Sequence, residues 1–132
     1  MLSRRHILIA AVLLSSCQNE AQRMELLPMM AGAHRRLNVE NVPAEENPEE
    51  YKRLGLKRSR RAVYQVGGSK MTATVYEMGG QAVAFEMVQK WRPEPLKMAF
   101  HEGPFFVVLV SDAENRDGMS DLAKQLEQSL RK

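Results

Sequence analysis

The glycine pair Gly67-Gly68 separates two runs that are rich in β-branched and aromatic residues, at positions 61–66 and 70–78. Such residues favour extended backbone, and glycine accepts the positive φ angles of a tight turn. The pattern therefore predicts a β-hairpin. Because successive side chains of a strand alternate, Met71 and Val75 are expected on the same face of the second strand.

The later apolar patterns predict a second hairpin and two long helices. Residues 81–91 and 119–130 carry apolar side chains at helical spacing, and the runs 96–101 and 105–110 flank a turn at Gly103-Pro104. Read from the first hairpin onward, the order is β-β-α-β-β-α. We therefore predict an α+β domain with a small antiparallel sheet of about four strands and with helices packed on one face.

The segment before the first hairpin carries weaker signals. Residues 26–30 form an apolar stretch interrupted by Pro28, and we expect it to lie extended on the domain. Residues 38–50 hold two prolines and five glutamates, which is typical of an exposed loop. A short helix should follow, with Asn47 as its N-cap and Gly55 at its end.

The first sixteen residues have the pattern of an export signal. Arg4 and Arg5 precede an apolar run of about eight residues, whereas about twenty are needed to span a bilayer. Leu14-Ser15-Ser16-Cys17 then resembles the bacterial lipobox, in which small residues precede the cysteine that receives diacylglycerol. The alternative is an ordinary signal peptide with a chance cysteine.

The resemblance to bacterial lipoprotein precursors implies a division of the chain. Residues 1–16 would be removed, residues 17–25 would form the lipidated N-terminus and a tether, and residues 26–132 would form one domain. Gln18 stands where lipoproteins of the inner membrane commonly carry aspartate, which implies the outer membrane, facing the periplasm, if the host has two membranes. Residues 3–8 partly resemble a twin-arginine signal, so general secretory and twin-arginine export both stay open.

The charge balance argues against nucleic acid as a partner. Arg4 and Arg5 account for two of the 19 Lys and Arg residues, which leaves 17 against 16 Asp and Glu. Nucleic-acid binding normally needs a concentrated basic footprint. A local basic run is formed by Lys57, Arg58, Arg60 and Arg61. It could contact anionic lipid or peptidoglycan, or it could protect the exposed start of a strand from edge pairing.

Known catalytic patterns are not found in the sequence, so we predict no catalytic residue and no cofactor. Cys17 is assigned to the lipid, and no serine lies in a Gly-x-Ser-x-Gly pattern. Gly67-Gly68-Ser69 is not followed by the lysine and hydroxyl residues of a phosphate-binding loop. The alternative is a small exported enzyme with an unrecognised site, for which Tyr76, His101 and Glu102 would have to converge.

Methionine is abundant, and its thioether is a soft ligand that suits Cu(I). Eight methionines follow Met1, namely Met24, Met29, Met30, Met71, Met78, Met87, Met98 and Met119. A copper-handling site that includes Met98 and His101 is a further alternative, but residues three apart on a strand project to opposite faces. We expect the methionines to fill the core or line a groove, and we predict no metal site.

The part of the chain that follows the signal resembles a loosely defined group of small exported bacterial proteins of unknown function. The resemblance rests on Leu26-Leu27-Pro28, the segment 51–56, a strand that carries Tyr64, and Val75-Tyr76-Glu77-Met78 followed by glycines and the helix at 82–85. It covers most of the chain. It implies the same α+β fold and supplies no site residues.

These observations favour a lipid-anchored protein of the cell envelope with a non-catalytic interaction, structural or amphiphile-binding role. The lipid would hold it on the membrane, and its partner would be an envelope protein or an amphiphile. The candidate contact surface comprises Leu27, Met29, Met30, Met71, Val75, Phe85 and Trp91. If the last four of these residues lined an apolar cavity between the sheet and a helix, that cavity would favour amphiphile binding or transport.

Overall fold

A computed structural model describes residues 25–132, so the predicted signal peptide, the lipobox-like segment and Cys17 lie outside the described residues. The elements in chain order are β1 (Met30–Ala31), β2 (His34–Asn41), a 3-10 helix (Ala44–Glu46), α1 (Glu49–Arg53), β3 (Arg58–Val66), β4 (Ser69–Glu77), α2 (Gln81–Lys90), β5 (Lys97–Glu102), β6 (Phe105–Ser111) and α3 (Arg116–Arg131). None of these helices is long and apolar enough to cross a membrane.

The strands form one antiparallel sheet in the order β1-β2-β3-β4-β6-β5. The hairpin of β3 and β4 is paired without interruption from Arg58 opposite Glu77 to Val66 opposite Ser69. After α2 the chain returns as a second hairpin, whose strand β6 pairs with β4 and leaves β5 at the sheet edge. The predicted α+β class, the antiparallel sheet and both hairpins are therefore confirmed.

The sheet has six strands, so the prediction of about four is wrong, and the order β-β-α-β-β-α holds only from β3 onward. The additional strands are β1 and β2. Residues 38–41 were expected in a loop but belong to β2, which pairs with β3 on one side and on the other meets only the two-residue β1. A strand near the edge of a sheet can keep polar side chains in water. For this reason β2 contains glutamate and asparagine, and its sequence is typical of a loop.

Helix α1 begins at Glu49, and its N-cap position is held by Pro48 rather than by the predicted Asn47. The Asn47 side chain does not cap the helix; its Oδ1 accepts a hydrogen bond from Ser59 Oγ at 2.8 Å. Gly55 follows α1 with a φ of 94°, a conformation that a side chain would strain, and so turns the chain toward β3. The hydrogen bond from Ser59 to Asn47 before the helix and the Gly55 turn after it thus connect α1 to β3 at both of its ends.

The helices cover both faces of the sheet, which corrects the prediction of helices on one face only. On one side, Val107 and Leu109 of β6 pack with Leu122 and Leu126 of α3; we call this side the closed face. On the other side, Phe106 and Val108 of β6 and Tyr76 of β4 pack with residues of α1 and α2; we call this side the pocket face. The unbroken apolar run of β6 reflects its burial on both sides.

Candidate functional site

A small cavity of about 140 Å³, the Trp91 pocket, lies on the pocket face between α1, α2 and β6. Its apolar wall is formed by Leu54, Met87 and Phe106 together with the rings of Tyr51 and Trp91. A cavity of about 150 Å³ is large enough to bind benzene, so a pocket of this size holds a small ring or the end of an alkyl chain.

The aromatic residues of the pocket hold one another in place. Tyr51 meets Tyr76 edge-on with ring centroids 4.9 Å apart, and it meets Phe106 edge-on at 6.0 Å. Trp91 lies 6.1 Å from Phe106 at an interplanar angle of 60°. Edge-to-face pairs of this kind add to the burial of the rings. The wall is therefore preformed, with Phe106 at its centre.

The sequence around Trp91 explains why the indole is at the pocket. Helix α2 buries Ala84 and Met87, which lie three residues apart on the helix face that packs against the sheet. Trp91 follows four residues after Met87 and is the residue that caps the helix, since its N–H donates to the Val88 carbonyl at 3.1 Å. The prolines at 93 and 95 then prevent the helix from continuing.

The indole N–H of Trp91 is buried and has no hydrogen-bond partner. An unpaired buried donor costs about 1–3 kcal/mol of desolvation free energy. Buried polar groups in folded proteins are nearly always paired, and the exceptions are often associated with function. Trp91, which lines the pocket, therefore carries an unpaired buried donor.

The two tyrosines of the pocket face are neutral. Burial raises the pKa of the Tyr51 phenol, and the neighbouring negative charge of Glu50 raises it further. Burial likewise raises the pKa of Tyr76, with a contribution from Tyr51. Both groups stay protonated at physiological pH and are poor general bases. A neutral phenol can donate a hydrogen bond.

The rim of the pocket is charged. Glu50 of α1 and Glu86 and Lys90 of α2 are exposed and line its opening. Two carboxylates and one ammonium give the rim a net negative charge at neutral pH. A molecule with an apolar end and a polar, cationic or zwitterionic head would match both parts of the pocket.

The four residues whose shared cavity would favour amphiphile binding do not line one cavity. Trp91 is in the pocket, but Met71 and Val75 are fully buried on the closed face, and Phe85 is 48% exposed and packs on His101. Strand alternation had placed Met71 and Val75 together correctly, but α2 lies on the opposite side of β4.

The residues that sequence reasoning missed are Tyr51, Met87 and Phe106. Phe106 was detectable, because an unbroken apolar strand places alternate residues on opposite faces. Met87 was detectable as the residue three positions after Ala84 on the same helix face. Tyr51 gave no comparable signal, since it belongs to a helix of only five residues.

The other predicted contact residues lie far along the sheet from the pocket. Leu27 is fully buried on the closed face, so it is not part of an exposed surface. Met29 and Met30 are 67% and 51% exposed next to β1. The apolar segment 26–30 thus packs on the domain through its first residues, as expected, and exposes its last two.

The arginines of the basic run lie along β3, and their side chains form ion pairs. Arg58 Nε is 2.7 Å from a Glu77 carboxylate oxygen. Arg60 holds Glu25 at 2.9 Å, and Arg61 pairs with Glu40. These partners neutralise three of the four charges, and Lys57 is exposed just before the strand. Arg60 and Arg61 lie where β3 is paired with both β2 and β4, so these two residues do not protect a strand from edge pairing.

The residues of the alternative sites do not converge. Tyr76 and His101 flank Phe106 on the pocket face, whereas Glu102 pairs with Arg131 of α3 at 3.1 Å on the closed face. Met98 packs in the closed-face core, on the opposite side of β5 from His101. Within residues 25–132, no three His, Cys, Asp or Glu side chains are grouped as metal ligands.

The Trp91 pocket is thus the arrangement that brings an enclosed apolar surface and charged groups together. The chain was also compared with protein-family models, curated proteins and solved structures, and none of them matches it.

Proposed function

We propose that this protein is a lipid-anchored component of the cell envelope whose domain binds an amphiphile in the Trp91 pocket without catalysis. The observation that supports this most strongly is the combination of a preformed aromatic and aliphatic wall with a charged rim. Pockets with these features are the usual sites of small-ligand binding.

The lipid anchor rests on the lipobox at residues 14–17. In this proposal Cys17 is the first residue of the processed protein and carries the acyl chains, which contribute about 0.8 kcal/mol per buried CH₂ and make attachment effectively permanent. Gln18 stands where inner-membrane lipoproteins commonly carry aspartate, which supports an outer-membrane location, facing the periplasm, in a host with two membranes. The intact mass of protein recovered from the membrane fraction tests this, with Cys17→Ser as the comparison. An unmodified cysteine would refute the anchor.

The ligand class follows from the size and charge of the pocket. A volume of about 140 Å³ accepts the end of an alkyl chain but not a whole lipid. The head would stay at the rim, where Glu50 and Glu86 disfavour an anionic group and favour a cationic or zwitterionic one. Lysophosphatidylcholine, used below its critical micelle concentration, is a suitable probe with these properties.

A binding measurement on the full chain tests the pocket. Leu54→Phe adds bulk to a half-buried wall residue, and Phe85→Leu changes an exposed residue of α2 that does not line the pocket. We expect equilibrium dialysis to show tenfold weaker binding for Leu54→Phe, which is about 1.4 kcal/mol, and unchanged binding for Phe85→Leu. Thermal unfolding of both variants checks that the fold persists. Equal affinity for lysophosphatidylcholine in the natural protein and both variants would contradict binding in the Trp91 pocket. An interaction or structural role would then remain for the domain.

A further inference from the structure

Exposed apolar side chains are concentrated around β1. Of the six large apolar residues exposed in the described part of the chain, three lie within nine positions: Met29 at 67%, Met30 at 51% and Leu37 at 39%. Met29 and Leu37 line the same shallow groove beside β2, and Met30 pairs with Arg35 across β1 and β2. We call Met29, Met30 and Leu37 the methionine patch. Flexible thioethers are common at surfaces that contact irregular partners.

The methionine patch lies where the described chain begins. The Glu25 carboxylate is held by Arg60 at 2.9 Å and by Arg36 at 3.3 Å. The side chain of Arg36 donates to the Leu27 carbonyl at 2.6 Å, and its backbone N–H donates to the Met29 carbonyl at 2.8 Å. Through Arg36, the first described residue and the patch are fixed to the same strand.

Chain length limits how far the patch can lie from the anchor. Cys17 and Glu25 are eight residues apart, and a chain extends at most about 3.6 Å per residue, so they are separated by no more than about 29 Å. An acylated Cys17 lies at the bilayer surface. The fixed start of the domain is then held within this distance of the lipid, which raises the effective concentration of the patch at the membrane.

We propose that the methionine patch rests on the bilayer, so that the β1–β2 edge of the sheet faces the lipid. This rests on the proposed lipid anchor and adds an orientation to it. Arg35 is exposed, makes no ion pair within residues 25–132, and pairs with Met30 across the strands. Its aliphatic stem can lie along apolar surface while the guanidinium binds a phosphate headgroup. The patch thus offers the apolar and cationic groups that an interfacial contact needs.

The part of the sheet around β6, at the other end of the strand order, provides a matched control. Leu96 and Val110 are each 37% exposed and adjoin one another, since the N–H of Ser111 donates to the Leu96 carbonyl at 2.9 Å. Strand β6, which carries Val110, is four strands away from β1. At about 4.8 Å per strand the separation is roughly 19 Å. A bilayer that contacts the methionine patch should therefore leave Val110 in water.

The experiment uses the full-length lipidated protein in vesicles of phosphatidylethanolamine and phosphatidylglycerol. Met29→Cys and Val110→Cys each provide one thiol for an environment-sensitive fluorophore, because the thiol of Cys17 is consumed by acylation. Spin-labelled lipid is then added as a quencher within the bilayer, and iodide as a quencher in the water. We expect lipid quenching and protection from iodide at position 29, and the reverse at position 110.

The outcomes separate this proposal from the anchor. Protein that stays on the vesicles but shows equal quenching at both positions, or none at either, overturns the docking alone. Protection of position 29 from iodide without quenching by lipid would mean that another protein, such as a second copy of this chain, covers the patch, and also overturns it. Protein that washes off the vesicles, with an unmodified Cys17 by mass, overturns the anchor.

Discussion

The two faces of the sheet differ in how completely they are packed. The closed face joins fourteen buried residues of α3, the sheet and the N-terminal segment into one core. The pocket face has four, surrounded by side chains that are only partly buried, and it contains both the Trp91 pocket and the unpaired indole N–H. We infer that the closed face provides most of the stability, whereas the pocket face retains the incomplete packing that a binding site needs.

The largest expected difference between the faces comes from truncating one leucine on each. Leu122 is fully buried on the closed face, so Leu122→Ala should reduce the free energy of unfolding by about 2–5 kcal/mol. Leu54→Ala should cost much less, because Leu54 is half-buried and already borders a cavity. Urea unfolding measures both. Equal losses would show that the two faces are equally important for stability.

The substitution Gly118→Ala in α3 tests how tightly the closed face is packed, because it adds a single carbon atom there. A Cβ at Gly118 would lie 2.5 Å from Asn115 Nδ2 and 2.7 Å from Val66 Cγ1. Asn115 is the N-cap and accepts a hydrogen bond from the Gly118 N–H at 3.0 Å. Gly118→Ala should therefore destabilise by about 1–3 kcal/mol, although alanine normally favours a helix.

The exposed Ser120 of the same helix is the control for that substitution. Ser120→Ala gains helix propensity without a clash, so its midpoint of thermal unfolding should stay constant or rise. A Gly118→Ala variant as stable as the natural protein would mean that Val66 and the cap yield easily. The closed face would then be less tightly packed than we infer.

Removing one tyrosine hydroxyl group from each face compares how much a single polar group contributes to stability there. Tyr64 is fully buried on the closed face, and its hydroxyl donates to the Pro28 carbonyl at 2.6 Å, which ties the N-terminal segment to β3. Tyr64→Phe leaves that carbonyl without this donor and should cost about 1–2 kcal/mol. Tyr76→Phe on the pocket face should be nearly neutral. A similar loss in both variants, measured by urea unfolding, would contradict this difference.

The smallest effect depends on pH and concerns Glu25. Burial acts to raise the pKa of its carboxyl, but hydrogen bonds from Arg60 and the Leu27 N–H, with the charges of Arg60 and Arg36, outweigh it and lower the pKa below 4.5. A lowered pKa stabilises the folded state at pH values above 4.5, and the contribution is lost as pH falls through the folded pKa. Glu25→Gln should reduce the free energy of unfolding at neutral pH. The difference in unfolding free energy between the variant and the natural protein should become smaller in acid. A difference that is independent of pH would contradict this.

Local patterns were sufficient for some elements and failed for others. The β3–β4 hairpin was predictable because its strands are adjacent in sequence and joined by a two-glycine turn. Strand β2 was not, because its residues pair with residues of β3 that lie 19 to 30 positions later in the chain, and because its side chains are largely exposed. The side of the sheet taken by α2 was also unpredictable, since it depends on how the chain crosses between β4 and β5.

The same distinction holds for the site. Trp91 could be selected because a single tryptophan at the end of an amphipathic helix is expected to pack on the sheet. Phe106 and Met87 were detectable from their spacing, but Tyr51 was not, because it comes from a distant helix of only five residues. The pairing of Arg60 with Glu25, 35 residues earlier, was equally undetectable, so the sequence did not show that this member of the basic run forms an ion pair.

The most direct test of amphiphile binding is the fluorescence of Trp91, which is the only tryptophan in the chain. The full-length protein is titrated with lysophosphatidylcholine below its critical micelle concentration, beside Leu54→Phe. We predict a saturable shift of the emission to shorter wavelength in the natural protein and a much weaker response in the variant. An emission spectrum that does not change, or an identical shift in both proteins, would contradict the assignment of the pocket as the binding site.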